Sequence, residues 1–111
     1  MDKMLKQALL FDFYGELLTD HQKEIYEQFV LEDLSLSEIA EAAGISRQGV
    51  HDLVKRCNKI LEGYEAKLHL VEKFLSVKGK VQQMNELLET EQENERIQHV
   101  RQIAGEILEE L

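Results

Sequence analysis

Residues 35–56 read SLSEIAEAAGISRQGVHDLVKR, and the fold turns on this stretch. Its apolar residues are Leu36, Ile39, Ala40, Ala43, Ile45, Val50, Leu53 and Val54, and they recur at helical spacing on either side of Gly44. Such spacing builds one apolar stripe before the glycine and a second after it. Ser35, with Glu38 three residues on, makes a capping box for the first helix. Gly44 suits the left-handed backbone that ends it, and Ser46 suits the N-cap of the second. The stretch therefore predicts two short helices joined by a tight turn. The question is whether the second helix touches DNA or merely packs.

Counted from Leu36, the spacing fits a helix-turn-helix. Ala40 is small where the second helix crosses close above it, and Gly44 supplies the turn. Ile39, Ala43, Ile45, Val50 and Leu53 take the apolar positions that hold the two helices at roughly 90–120°. With that face inward, Arg47, Gln48, His51, Asp52 and Lys55 point outward. The first turns of a recognition helix lie in the major groove. Arg47 suits guanine O6/N7 and Gln48 suits adenine N6/N7. His51 can donate to a base or a phosphate. Lys55, Arg56 and Lys59 are expected phosphate contacts, which position without specifying. Ser46 and the free amides beside it can hold another phosphate. Asp52 is unhelpful beside DNA and is expected to orient Arg56, four residues on. A helix-turn-helix is also simply a way of packing two helices, so an exposed basic face is compatible with plain solvation.

Outside this stretch the chain again reads as helix. Proline is absent and helix formers dominate its 111 residues, so an all-α fold is expected. A first helix is predicted over about residues 2–18, with Leu5, Leu9, Phe13 and Leu17 four apart and Ala8, Leu10 and Phe11 widening the stripe. Phe13 is expected in the core and Tyr14 at the surface; a base-stacking role for the aromatic group Phe11, Phe13 and Tyr14 is the weaker alternative. Thr19 with Gln22 makes a capping box for a second helix to about Leu31, with Ile25, Tyr26, Phe29 and Val30 inward.

The fourth helix is expected to be long. Its seam is Val50, Leu53, Val54, Cys57, Ile60, Leu61, Tyr64, Leu68, Val71 and Leu75, running through Gly63. An interruption is expected at Val77-Lys78-Gly79-Lys80, then a helix carrying Val81, Met84, Leu87 and Leu88. The polar run ETEQENER, residues 89–96, reads as a solvated face, a hinge or a loop. A last helix carries Ile97, Val100, Ala104, Ile107, Leu108 and Leu111. The expected organisation is a helix-turn-helix domain over 1–63 and a helical extension over 64–111. Stripes on that extension must be buried somewhere, so a homodimer through the C-terminal half is expected.

Charge divides the chain. The net charge is −9, which opposes binding to phosphate. Residues 1–45 carry a net −7, residues 46–83 a net +4 and residues 84–111 a net −6. The basic third begins at the second helix of the quoted stretch. The single cysteine, Cys57, excludes an internal disulfide and reads as a small core residue. The histidines, His21, His51, His69 and His99, are scattered, so no metal site is expected. No phosphate loop or nucleophile elbow is present, so neither enzymatic activity nor a cofactor is expected. The opening MDKMLKQALLFDF lacks the basic and apolar regions of a signal peptide, and no run approaches the roughly 20 apolar residues of a membrane span. A cytoplasmic chain without membrane insertion is the expectation.

The segments FDFYGELLTDHQ, residues 11–22, and LSLSEIAEAAGISRQGVHDLVKR, residues 34–56, followed by LEGYEAKLHL, resemble the YlxM family of small bacterial proteins, also called UPF0122. The resemblance covers about residues 1–75. It implies an all-helical fold similar to region 4 of sigma factors, which reads the −35 promoter element. It also implies a DNA-binding regulatory role tied to the signal recognition particle pathway, through gene neighbourhood. The alternative is an RNA- or protein-binding adaptor of the same pathway, with the particle's RNA or protein as partner. Gly49 departs from the family pattern, where alanine is expected; glycine weakens the start of a recognition helix or permits closer backbone approach.

Overall fold

The computed structural model describes residues 2–89 and 94–111. It is all-helical: α1 Lys3–Tyr14, a 3-10 turn Gly15–Leu17, α2 Asp20–Val30, α3 Leu36–Ala43, α4 Arg47–Leu68, α5 Leu70–Glu89 and α6 Glu95–Glu110. Two compact units form, Met1–Val71 and Glu72–Leu111. Of the polar run at 89–96, Glu89 closes α5 and Asn94 caps α6 through Ile97 N–H; residues 90–93 lie outside the described residues. Among the described residues, no helix is long and apolar enough to cross a membrane.

The first unit is organised by its caps and by α4. Thr19 with Gln22, and Ser35 with Glu38, both form complete capping boxes. The Ser35 amide and hydroxyl hold the Glu38 carboxyl below the usual carboxylate range. Helices α1, α2 and α3 all pack on α4. The core comprises Leu10, Phe11, Tyr14, Leu18, Ile25, Tyr26, Ile39, Ala40, Val50, Val54, Cys57 and Leu61, each at most 7% exposed. Inside it the rings of Phe11 and Tyr26 meet at a tilt with centroids 5.6 Å apart, and the Tyr26 hydroxyl donates to Asn58 Oδ1. Burial raises the Tyr26 pKa.

Helix α1 presents a different face from the expected one. Leu5 and Phe13 are 55% and 37% exposed, and Leu17, in the 3-10 turn that follows, is 56% exposed. The buried residues are Gln7, Leu10, Phe11 and Tyr14. Tyr14 was expected at the surface but is 1% exposed. Its hydroxyl donates to Glu65 Oε1 at 2.6 Å, and its ring lies 5.9 Å from that of Tyr64. Apolar residues occur on several sides of this helix, so a four-residue stripe cannot choose its inner face; packing of Leu10, Phe11 and Tyr14 against the other helices does. Gly15 is buried for a related reason. A Cβ there would lie 2.9 Å from two carbons of the Phe11 ring.

Helix α4 runs unbroken through Gly63, and the break falls at His69 rather than at Gly79. His69 has a left-handed backbone, φ 56°. Its strain is compensated by long-range caps on α5: Leu70 N–H donates to the Tyr14 hydroxyl at 3.2 Å and Val71 N–H to Glu65 Oε1 at 3.0 Å. These bonds satisfy amides that a helix start leaves orphaned. They tie the residues from Tyr64 to Val71 to the first unit, which ends at Val71. Helix α5 then passes Gly79 without interruption.

Two outcomes follow for stability and reactivity. Gly15→Ala should destabilise the fold by about 1–3 kcal/mol in chemical denaturation, as overpacking against Phe11, despite alanine's better helix propensity. Cys57 is fully buried, and burial pushes its thiol up to about 11. Thiol labelling at neutral pH should therefore be slow in the native protein and fast in denaturant; rapid native labelling would contradict this packing.

Candidate nucleic-acid interface

The turn between α3 and α4 fixes where α4 begins. Gly44 takes φ 71°, ψ 28°. The Ala40 carbonyl accepts from both Gly44 N–H and Ile45 N–H, at 3.0 and 3.2 Å. Ser46 then caps α4, its hydroxyl accepting from Gly49 N–H at 2.9 Å. A Cβ on Gly49 would lie 3.1 Å from that hydroxyl oxygen, so alanine there would crowd the cap. Ile39, Ala40 and Val50 are buried between the helices, as their positions in the motif require. Ala43 and Ile45 stay exposed, so those two contribute less to the clamp than expected.

Helix α4 is divided lengthwise. Val50, Val54, Cys57 and Leu61 are buried on one side. Arg47, Gln48, His51, Lys55, Arg56 and Lys59 are all exposed, as is Ser46 at the cap. At about 100° per residue, those six helical positions fit within roughly half of the helix circumference. The expected residues thus form one continuous surface starting at the cap. Among the described residues, Arg47, Lys55, Arg56 and Lys59 have no acidic partner within salt-bridge distance.

Asp52 sits within this surface, but its partners differ from the expected one. It accepts from Gln48 Nε2 at 2.9 Å and lies 3.5 Å from His51 Nδ1. Arg56 borders the same hollow as Asp52, with Thr19, Gln22 and Leu53, but makes no ion pair with it. Asp52 therefore holds the Gln48 carboxamide in place, leaving its oxygen and one N–H for another group. On the opposite flank, His51 and Lys55 border a cavity of about 410 Å³ reaching back to α1. Neither hollow carried a sequence signal, because each forms where side chains from several helices meet. The surface as a whole offers a guanidinium, a carboxamide and an imidazole near a helix start, then three further cations. That set suits hydrogen bonding to base edges and charge pairing with phosphates.

Comparison with known proteins fits this architecture. Residues 1–103 match the family described as "Putative helix-turn-helix protein, YlxM / p13 like", UPF0122. A UPF0122 protein of Thermoanaerobacter sp. is 44% identical over 110 residues, spanning 99% of this chain and 94% of the relative. One from Caldanaerobacter subterraneus is 49% identical over 87 residues, 78% of this chain and 74% of the relative. One from Staphylococcus haemolyticus is 53% identical over 72 residues, 65% and 66% of the two chains. With a match over most of its length and the helix-turn-helix in place, this chain belongs to the YlxM/p13-like family, UPF0122.

Proposed function

We propose that this chain is a DNA-binding regulator, similar to sigma factor region 4, that lays α4 in the major groove of duplex DNA. One observation carries the reading: among the described residues, Arg47, Lys55, Arg56 and Lys59 have no acidic partner and share one face of a helix whose other face is buried. Arg47, Gln48 and His51 would read base edges, while Ser46, Lys55, Arg56 and Lys59 would engage phosphates. The acidic remainder of the chain would suppress non-specific binding. The role is non-enzymatic and cytoplasmic. Its link to the signal recognition particle pathway rests on the family resemblance alone.

Selection from a pool of random duplexes, alongside the particle's RNA at two salt concentrations, tests this reading. One duplex motif should be enriched, and the Arg47→Ala/Lys55→Ala double variant should lose it. Loss of the Lys55 phosphate contact alone should reduce the salt slope by about 1. Preference for the RNA would replace the regulator with an adaptor. Binding to neither would remove both nucleic-acid readings.

We also propose that the protein self-associates through its C-terminal half. Met84 and Leu87 on α5, and Val100 and Ile103 on α6, are 40–69% exposed. Apolar surface of this kind marks interaction sites, and a dimer would set two recognition helices about 34 Å apart. Light scattering at micromolar concentration should give a dimer mass, and Leu87→Glu should shift it toward monomer. A monomeric wild-type protein would refute this assembly.

A further inference from the structure

The cavity of about 410 Å³ beside α4 lies within the range of small-molecule sites. Its wall holds a polar group without a partner. Gln7 is 7% exposed and lines the cavity, yet its side chain makes no hydrogen bond among the described residues. Unlike the sealed, unsatisfied Gln28 Oε1, its carboxamide keeps access to solvent, and the residue lies in the cavity lining. A ligand in the cavity would supply the hydrogen-bond partner that the protein does not. Asn58 lines the same wall. Its Oδ1 accepts from Tyr26, which leaves its NH₂ to donate. Phe29 and Leu36 contribute apolar surface, Lys3 and Lys55 supply positive charge, and His51 adds an imidazole.

We propose that this cavity binds a small organic carboxylate, an anion with a short apolar body. The amide donors of Gln7 and Asn58 suit the carboxylate oxygens, the lysines balance the charge, and Phe29 and Leu36 cover the tail. A bare inorganic anion would leave the apolar wall unused. The site shares His51 and Lys55 with the exposed face of α4. On the reading of that face as a duplex reader, on which this consequence rests, the ligand and DNA compete for the same two groups.

NMR titration of the full chain with hexanoate, hexanamide and inorganic phosphate tests the site through the side-chain amide signals of Gln7 and Asn58. Hexanoate should shift both saturably, and hexanamide should bind about tenfold more weakly for want of charge-assisted hydrogen bonds. Phosphate should leave Gln7 unmoved. Gln7→Leu should weaken hexanoate binding about tenfold; Lys55→Gln, at an exposed position, gives the same test should the buried substitution disturb folding. No saturable shift by about 20 mM hexanoate, equal binding of hexanamide, or phosphate shifting Gln7 alike would each overturn the site. Saturating hexanoate should also weaken duplex binding at least about threefold; an unchanged duplex affinity would overturn the sharing of His51 and Lys55. Saturable hexanoate binding by a chain that binds no duplex would support the site and refute the duplex-reading function.

Discussion

The buried seam of α4 is the constraint on which the first unit depends. Val50, Val54, Cys57 and Leu61 are each at most 6% exposed, and α1, α2 and α3 all pack on this helix. Burying one such valine or leucine is worth about 1.5–3 kcal/mol. An exposed ion pair such as Lys23–Glu16 is worth about 0–1 kcal/mol. Apolar burial therefore sets the rotation of α4 about its axis. Once the seam is inward, Arg47, Gln48, His51, Lys55, Arg56 and Lys59 have nowhere to go but outward. The candidate interface is in this sense a by-product of the core.

The distribution of charge bears on what that interface can do. A chain of net charge −9 gains little from long-range attraction to nucleic acid, so its contacts must come from a local surface. The net-basic segment 46–83 begins at the cap of α4, where the helix dipole and free amides also favour an anion. Asp52 tempers this. By holding Gln48 and approaching His51, it exchanges some attraction for a fixed carboxamide, a trade that favours selectivity over affinity.

How much of this was readable from the sequence depended on the range of the interactions. The capping boxes at Thr19 and Ser35, the left-handed Gly44 and the Ser46 cap are local, each set by residues within four positions, and all appear where expected. The exposed residues of α4 follow from the same local spacing. The inner face of α1 did not, because Leu5, Leu9, Leu10, Phe11 and Phe13 offer more than one apolar stripe. The buried stripe of Leu10, Phe11 and Tyr14 is set by packing on distant helices, and the Tyr14 hydroxyl finds its partner in Glu65, 51 residues away in the chain. The break at His69 was equally hidden. No glycine or proline marks it, and its stabilising caps come from Tyr14 and Glu65. The cavity behind His51 needed four helices to be placed before it existed.

The proposed reading requires that DNA meet the outward face of α4 and not another surface. Its most direct test is to add a selected duplex to isotope-labelled protein and map which amide and side-chain signals move. The changes should concentrate on Ser46 to Lys59 and leave the signals of α6 in place. Changes spread over the acidic faces, or confined to residues outside α4, would contradict it.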